Sequence, residues 1–304
     1  MTMTIRCLKR DEIDIVKWDA CIANAFNGIA YAYSWYLDIV ANKWDALVAN
    51  DYEAVFPLTF NTKFGVNYLY QPFFTQQLGI FSIRPITPML VQNFIKSIPT
   101  KFRHIDINFN TFVKLNSSKA SIIPRITHHL DLIEPYHVIS ARYSKNTKRN
   151  VSKSVAYNVT VVKGINPSLL LELKLKNQAV PLKEEQVDIA RKLITQSIIK
   201  GVGEIYAAYT DKNELCAGAL FLRSNGKAIY LLASSTLEGK QSRAMFALVD
   251  FYIKHNSELP LVLDFEGSNV ESVARFYTGF GASPCEYIRL VINRLPWPFN
   301  LILK

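Results

Sequence analysis

Apolar and polar positions change period several times along this chain, and each change marks an element. Residues 5–9 have the pattern of a strand. Over 11–24 the apolar residues fall at helical spacing, among them Ile13, Val16 and Ala20, and 34–41 reads as a second helix. The stretch "WDALVANDYEAVFPLTFNTKFGVNYLYQPFF" then predicts three short strands in series, with turns at Asn50-Asp51 and Thr62-Lys63. A helix near 87–97 and the strands "HIDINFN" and "ITHHLDLI" follow.

The second half repeats this plan. "YHVISARYSKNTKRNVSKSVAY" predicts a helix, "VTVVKG" a strand, and 166–178 and 182–200 two more helices. Residues 204–235 again give three strands, with turns at Asp211-Lys212-Asn213 and Ser224-Asn225-Gly226. The shared feature is the order of elements rather than the letters, and a repeat of this length implies two similar domains. The join falls near Glu134-Pro135, giving expected domains 1–135 and 136–304. The class is α/β (α+β), each domain carrying one sheet with helices against it.

Composition narrows the picture only in places. The 304 residues, 49% apolar and 20% charged, describe a globular chain with room for two cores. The formal charge of +10 favours anionic partners such as a nucleotide cofactor, RNA or an acidic cell-wall precursor. Cys7, Cys21, Cys216 and Cys285 are scattered, and His128 and His129 are strand neighbours facing opposite ways, so no metal site is expected. The start "MTMTIRCLKRDEID" has no apolar signal core, and no apolar run approaches the ~20 residues of a membrane span. A cytoplasmic location is therefore expected. The apolar, Pro-broken end "RLPWPFNLILK" is expected to pack on the core.

Candidate chemistry concentrates near the end, in "VLDFEGSNVESVARFYTGFGA" (262–282). Much of it has a structural explanation. Ser268 and Glu271 fit a capping box. Val270, Val273, Ala274 and Tyr277 share a helix face, and Gly279 suits a left-handed stop. Asp264 and Glu266 remain: two acids at the end of an apolar strand, expected on one face, able to take a proton from an amine. Upstream, "AIYLLASS" predicts a strand, "TLEGKQS" a polar loop, and "RAMFALVDFYI" a buried helix. A strand feeding a helix N-terminus through a loop can hold a pyrophosphate, and Lys240 and Arg243 add charge there.

Taken together, strand, Gly-containing loop, buried helix, strand and a helix ending "ARFYTGFGA" resemble the second half of a GNAT acyltransferase domain. The matching residues are Asn269, Phe276, Tyr277 and Gly279-Phe280. Two such halves resemble the Fem-type aminoacyl (peptidyl) transferases and their FemAB-like relatives, which are tandem GNAT-like proteins. The resemblance implies two domains, each a mixed, mainly antiparallel twisted sheet flanked by helices. It implies transfer of an acyl or aminoacyl group to an amine, from acetyl-CoA or another acyl-CoA, or from aminoacyl-tRNA. The acceptor would be a small molecule or a cell-wall precursor. Tyr277 would act as general acid, and Glu266 or Asp264 would accept the amine proton. Ser234, Ser235, Gly239, Lys240, Gln241, Ser242, Arg243 and Asn269 would lie at the cofactor. The loop departs from the family pattern (Gln/Arg)-x-x-Gly-x-(Gly/Ala), because "LEGKQSRA" carries only Gly239. The chain also lacks the long paired-helix insertion of the tRNA-using members.

Two other regions carry polar groups. Arg142, Lys145, Arg149 and Lys153 follow helical steps, with Lys148 close by, a stripe suited to phosphates. In the first half, "YLYQPFFTQQLGIF" places Tyr70, Gln71, Gln76 and Gln77 where the second half has its Gly-Lys loop, suggesting an acceptor platform, and Arg149 of the basic stripe is a further expected substrate contact. The alternative function is a non-catalytic binding protein for RNA or an anionic glycan. No G-x-S-x-G, P-loop or zincin pattern occurs. DNA is not an expected partner.

Overall fold

The structure is a computed structural model describing residues 3–115, 121–178, 180–267 and 270–296. In chain order its first part holds β1 (Ile5–Leu8), α1 (Ile15–Asn24), α2 (Ser34–Val40), β2 (Lys43–Ala49), β3 (Ala54–Lys63), β4 (Val66–Leu69), β5 (Phe81–Ser82), α3 (Pro88–Ser97), β6 (Phe102–Asn108) and β7 (Ser121–Asp131). The second part holds α4 (Tyr136–Ala141), α5 (Lys145–Ala156), β8 (Thr160–Lys163), α6 (Pro167–Lys176), α7 (Glu184–Ile199), β9 (Gly203–Tyr209), β10 (Leu215–Ser224) and β11 (Lys227–Ser235). It ends with α8 (Leu237–Gln241), α9 (Ala244–Asn256), β12 (Val262–Asp264), α10 (Glu271–Gly279) and β13 (Ser283–Asn293).

The chain divides into two compact units, one of Met1–Ile126 with Glu286–Lys304 and one of Thr127–Cys285. The boundary expected at 135 thus lies at 126, and the segment from Glu286 belongs with the first unit. Strand pairing is the cause. Residues 289–293 of β13 pair antiparallel with 104–108 of β6, and Ile288 and Leu290 join the core of that unit. Residues 129–131 of β7 pair antiparallel with β12.

Within the first unit the strand order is β1-β2-β3-β4-β6-β13, antiparallel except for the parallel β4/β6 pair. Its core gathers Phe56, Phe94, Phe102, Ile105 and Phe109. Within the second unit the order is β8-β9-β10-β11-β12-β7, again antiparallel except for the parallel β11/β12 pair. Each unit runs strand, two helices, three antiparallel strands, helix, parallel strand, so the repeat of order seen in the sequence is a repeat of fold.

Local chemistry sets the element ends. Asp14 caps α1 through the Lys17 amide at 3.1 Å, and Thr87 caps α3 through Leu90 at 3.2 Å. Several expectations are corrected. The single helix expected over 136–157 is two helices, because the chain breaks at 142–144 and Ser144 starts α5 by capping Thr147. The polar loop expected over 236–242 is mostly helix, with α8 capped by the Thr236 hydroxyl on the Gly239 amide at 3.0 Å. The left-handed position after α10 belongs to Gly281 (φ +85), not Gly279. Gly279 instead admits α5: a Cβ there would lie 2.5 Å from Thr147 Oγ1. Thr62 and Lys63 lie inside β3, the turn falling at Phe64-Gly65.

Candidate active site

The second unit's sheet opens where β11 and β12 part. The two strands pair in parallel only at 227–229 with 262–264, after which β11 continues to Ser235 and β12 stops. A bulge falls on β11 at the same place: Leu220 faces Leu232 and Phe221 faces Tyr230, leaving Leu231 as the extra residue. Beyond the bulge, the Thr236 amide donates to the Cys216 carbonyl at 2.9 Å. Antiparallel pairing alternates, so Ser234 and Leu232 also bond towards β10 while Ala233 and Ser235 turn their N–H and C=O away from it. Those backbone groups lie along the edge that β12 has left.

Asp264 ends β12, 3% exposed, and its oxygens are engaged on several sides. It accepts from Thr127 Oγ1 at 2.6 Å and from the Glu266 amide at 2.9 Å, and pairs with His129 Nε2 at 3.1 Å. Burial, the largest influence on its carboxyl, favours the neutral form. The hydrogen bond and charge of His129, the charge of Lys227 and the Thr127 hydroxyl outweigh it and hold Asp264 below the usual carboxylate range. Lys227 is driven the other way, its ammonium pulled down by burial against the attraction of Asp264 and Cys285.

The two acids therefore do not share a strand face, as the sequence suggested. Glu266 lies past the strand in a left-handed conformation (φ 61), fixed by the bond from its amide to Asp264. Such backbone in a non-glycine residue costs about 1–3 kcal/mol and must be held by its surroundings. Asp264 does that holding, and Glu266 is half-buried beside it.

Tyr277 is 8% exposed on α10, stacked on Phe265 at 4.8 Å with Tyr230 and His128 at 6.2 and 5.9 Å. Burial first, then the charges of Glu266 and Asp264, push its phenol up and keep it protonated. The helix face expected to hold Val270, Val273 and Ala274 with it is buried only at Tyr277; Val270 and Val273 are 59% and 37% exposed. α10 starts at Glu271 with Val270 as N-cap, and Ser268 and Asn269 lie outside the described residues.

The 234–243 segment is tied into the fold by its own contacts. Ser234 donates to the Leu173 carbonyl of α6 at 3.1 Å and Ser235 to the Cys216 carbonyl at 3.2 Å. Gly239 is there because α8 packs on β10: a Cβ would lie 2.2 Å from the Cys216 carbonyl oxygen. Ser242 is buried and donates to the Glu238 carbonyl at 2.9 Å. Lys240 and Gln241 are exposed, and Arg243 bridges to α9 in a left-handed conformation (φ 64). The glycine thus serves close packing.

In the first unit, the amides expected on a platform staple the 70–80 loop to β6. Gln71 accepts from the Asn108 amide at 3.0 Å and donates to the Thr75 carbonyl at 2.8 Å. Gln77 accepts from the Thr111 amide at 3.2 Å and donates to Gln76 Oε1 at 2.8 Å. The Tyr70 hydroxyl meets the Asn42 amide at 3.3 Å. On α5, Lys145, Lys148, Arg149 and Lys153 are exposed, but Arg142 lies in the break before it and pairs with Glu134. Arg149 belongs to the second unit, and Tyr70 and the glutamines to the first. Among the described residues no cluster of three or more His, Cys, Asp or Glu side chains could hold a metal ion, and no helix is long and apolar enough to cross a membrane.

Thr127, His129, Lys227 and Lys174 gave no signal in the sequence. Thr127 and His129 alternate with His128 and Leu130 on β7, the only local hint, and their meeting with Asp264 depends on pairing across 135 residues.

This arrangement is the tandem GNAT-like fold of FemAB-type proteins. FemX matches at a TM-score of 0.67 with 12% identity, covering 100% of both chains. A tandem GNAT protein from the clavulanic acid biosynthesis pathway matches at 0.53 with 13% identity, covering 97% of this chain and 99% of that one. L-PGS from Bacillus licheniformis matches at 0.50 with 11% identity, covering 86% and 87%. No protein-family model matches the chain, and no curated protein matches it in sequence.

Proposed function

We propose that the protein transfers an acyl or aminoacyl group from an acyl-CoA or an aminoacyl-tRNA to an amine, at the open edge of β11. The observation that carries this reading is the parting of β11 from β12 beside a buried Asp264 that fixes Glu266. A donor carbonyl lying along that edge meets the outward N–H of Ser235, which lowers the energy of the oxyanion formed on attack. The acceptor amine nitrogen bonds to the carbonyl carbon, and its proton passes to Glu266 directly or through one water. Collapse breaks the bond to the leaving sulfur or ribose oxygen, and Tyr277, held protonated, supplies the proton. The acceptor class is a small amine or an amine-bearing cell-wall precursor, and the compartment is cytoplasmic in this reading.

Acyl transfer from labelled acetyl-CoA and aminoacyl-tRNA to an amine panel, followed with wild type and two variants, tests it. Glu266→Gln is expected to lower kcat about 10²-fold or more, as loss of a general base does. Tyr277→Phe is expected to lower kcat with little change in KM. Transfer at wild-type rates by both variants overturns the roles assigned here. A protein that binds RNA yet turns over neither donor supports the non-catalytic alternative.

A further inference from the structure

The geometry points to an anion-binding site formed by Lys174 of α6 and the Ala233 amide, taking a carboxylate or phosphate oxygen at the open edge of β11. Lys174 reaches across from α6, and its Nζ lies 3.4 Å from the Ala233 carbonyl oxygen. On a strand the N–H and C=O of one residue point the same way, so the ammonium and the Ala233 N–H approach the same stretch of edge. α6 is fixed against the strand there by the bond from Ser234 Oγ to the Leu173 carbonyl at 3.1 Å. The lysine therefore sits on a rigid element beside a rigid strand.

Among the described residues no carboxylate pairs with this charge: Lys174 forms no ion pair, whereas Lys176, two residues further along α6, reaches Glu172 at 3.7 Å. Lys174 is half-buried, and burial alone pulls its ammonium down from the ordinary value. A cation withdrawn from water beside a single weak carbonyl contact is poorly compensated, and an anion with two free oxygens can take both donors at once. Lys227, the other ammonium lowered by burial on this strand, already faces Asp264. The inference deepens the transferase reading, on which it rests for the anion being part of a donor or acceptor.

The test is protection of Lys174 from an amine-acylating reagent, read by peptide mass spectrometry on the full-length protein. Lys176 serves as the internal control. Sodium pyrophosphate and sodium glutarate are the two probes. Near ten times its Kd the probe that binds is expected to slow labelling of Lys174 about tenfold and leave Lys176 unchanged. Protection by pyrophosphate alone assigns a phosphate, and by glutarate alone a carboxylate. Protection by neither, or equal protection of Lys176, overturns the proposal. Calorimetric titration of the protecting probe is expected to show binding retained by Lys174→Arg and lost by Lys174→Met; equal binding by Lys174→Met also overturns it. A protein whose Lys174 is protected but which transfers nothing keeps the anion site and loses the transferase reading. One that transfers with Lys174 unprotected does the reverse.

Discussion

Asp264 shows how one buried side chain can serve a site without touching a substrate. Its oxygens bind Thr127, His129 and the Glu266 amide, so little of it is left to accept a proton from outside. Removing its charge leaves His129 and Lys227 facing a gap. Asp264→Asn is therefore expected to destabilise the protein by roughly 3–5 kcal/mol, the usual cost of breaking a buried pair from one side, measured by urea unfolding. The pH dependence follows from the sign of its shift. A carboxyl lowered on folding stabilises in full above its ordinary value of 3.8, and that contribution is lost as pH falls towards the lower folded value. The difference in stability between wild type and Asp264→Asn is expected to be constant near neutrality and to narrow in acid. A gap that widens in acid contradicts the assignment. Gly239 makes the complementary case. Gly239→Ala forces a methyl against the Cys216 carbonyl and is expected to cost about 1–3 kcal/mol while leaving the Lys174 edge in place.

At the level of elements, the sequence revealed most where local physics decides. The three-strand runs, the turns at 211–213 and 224–226, and the helices over 88–97 and 184–199 follow from periodicity and turn residues. It failed where decisions are made at a distance. "TLEGKQS" reads as a polar loop, but Thr236 caps a helix there and the glycine answers to β10, across the hairpin. Gly279 looks like a helix stop, and its smallness is instead set by Thr147 on a helix 132 residues earlier. The acids Asp264 and Glu266 were legible as charges in an apolar strand; that the first would position the second was not, since His129 and Thr127 come from β7. The break before α5 matters for its charges too. With Arg142 bound to Glu134, the stripe expected to meet phosphates reduces to Lys145, Lys148, Arg149 and Lys153. An RNA donor is expected to meet this face. Changing Lys145, Arg149 and Lys153 together to Gln should then lower the slope of log K against log salt by about 2–3, at ~0.7–0.9 per phosphate contact. An unchanged slope removes α5 from RNA contact.

On the scale of the whole chain, two similar units are built, and only the second is a single uninterrupted segment. The first is Met1–Ile126 completed by Glu286–Lys304, and the second begins at Thr127. A join at 135 is what turn residues suggest, because Glu134-Pro135 looks like punctuation. Pairing decides otherwise: Ile288 and Leu290 are 7% and 0% exposed in the first unit's core, and Arg289 forms a two-pronged bond to Asp106 of β6 at 2.6 and 2.5 Å. A chain ending at Cys285 would lose all of this and bare the edge of β6 with Ile105 and Ile107. Burial of the two side chains alone is worth about 3–6 kcal/mol, comparable with the stability of a typical domain. The expected result is that a 1–285 protein, followed by limited proteolysis and mass spectrometry, is cleaved first within 1–126 at a protease concentration the full chain survives. Cleavage confined to the second unit, or resistance equal to that of the full chain, would show that the first unit folds without its terminal strand.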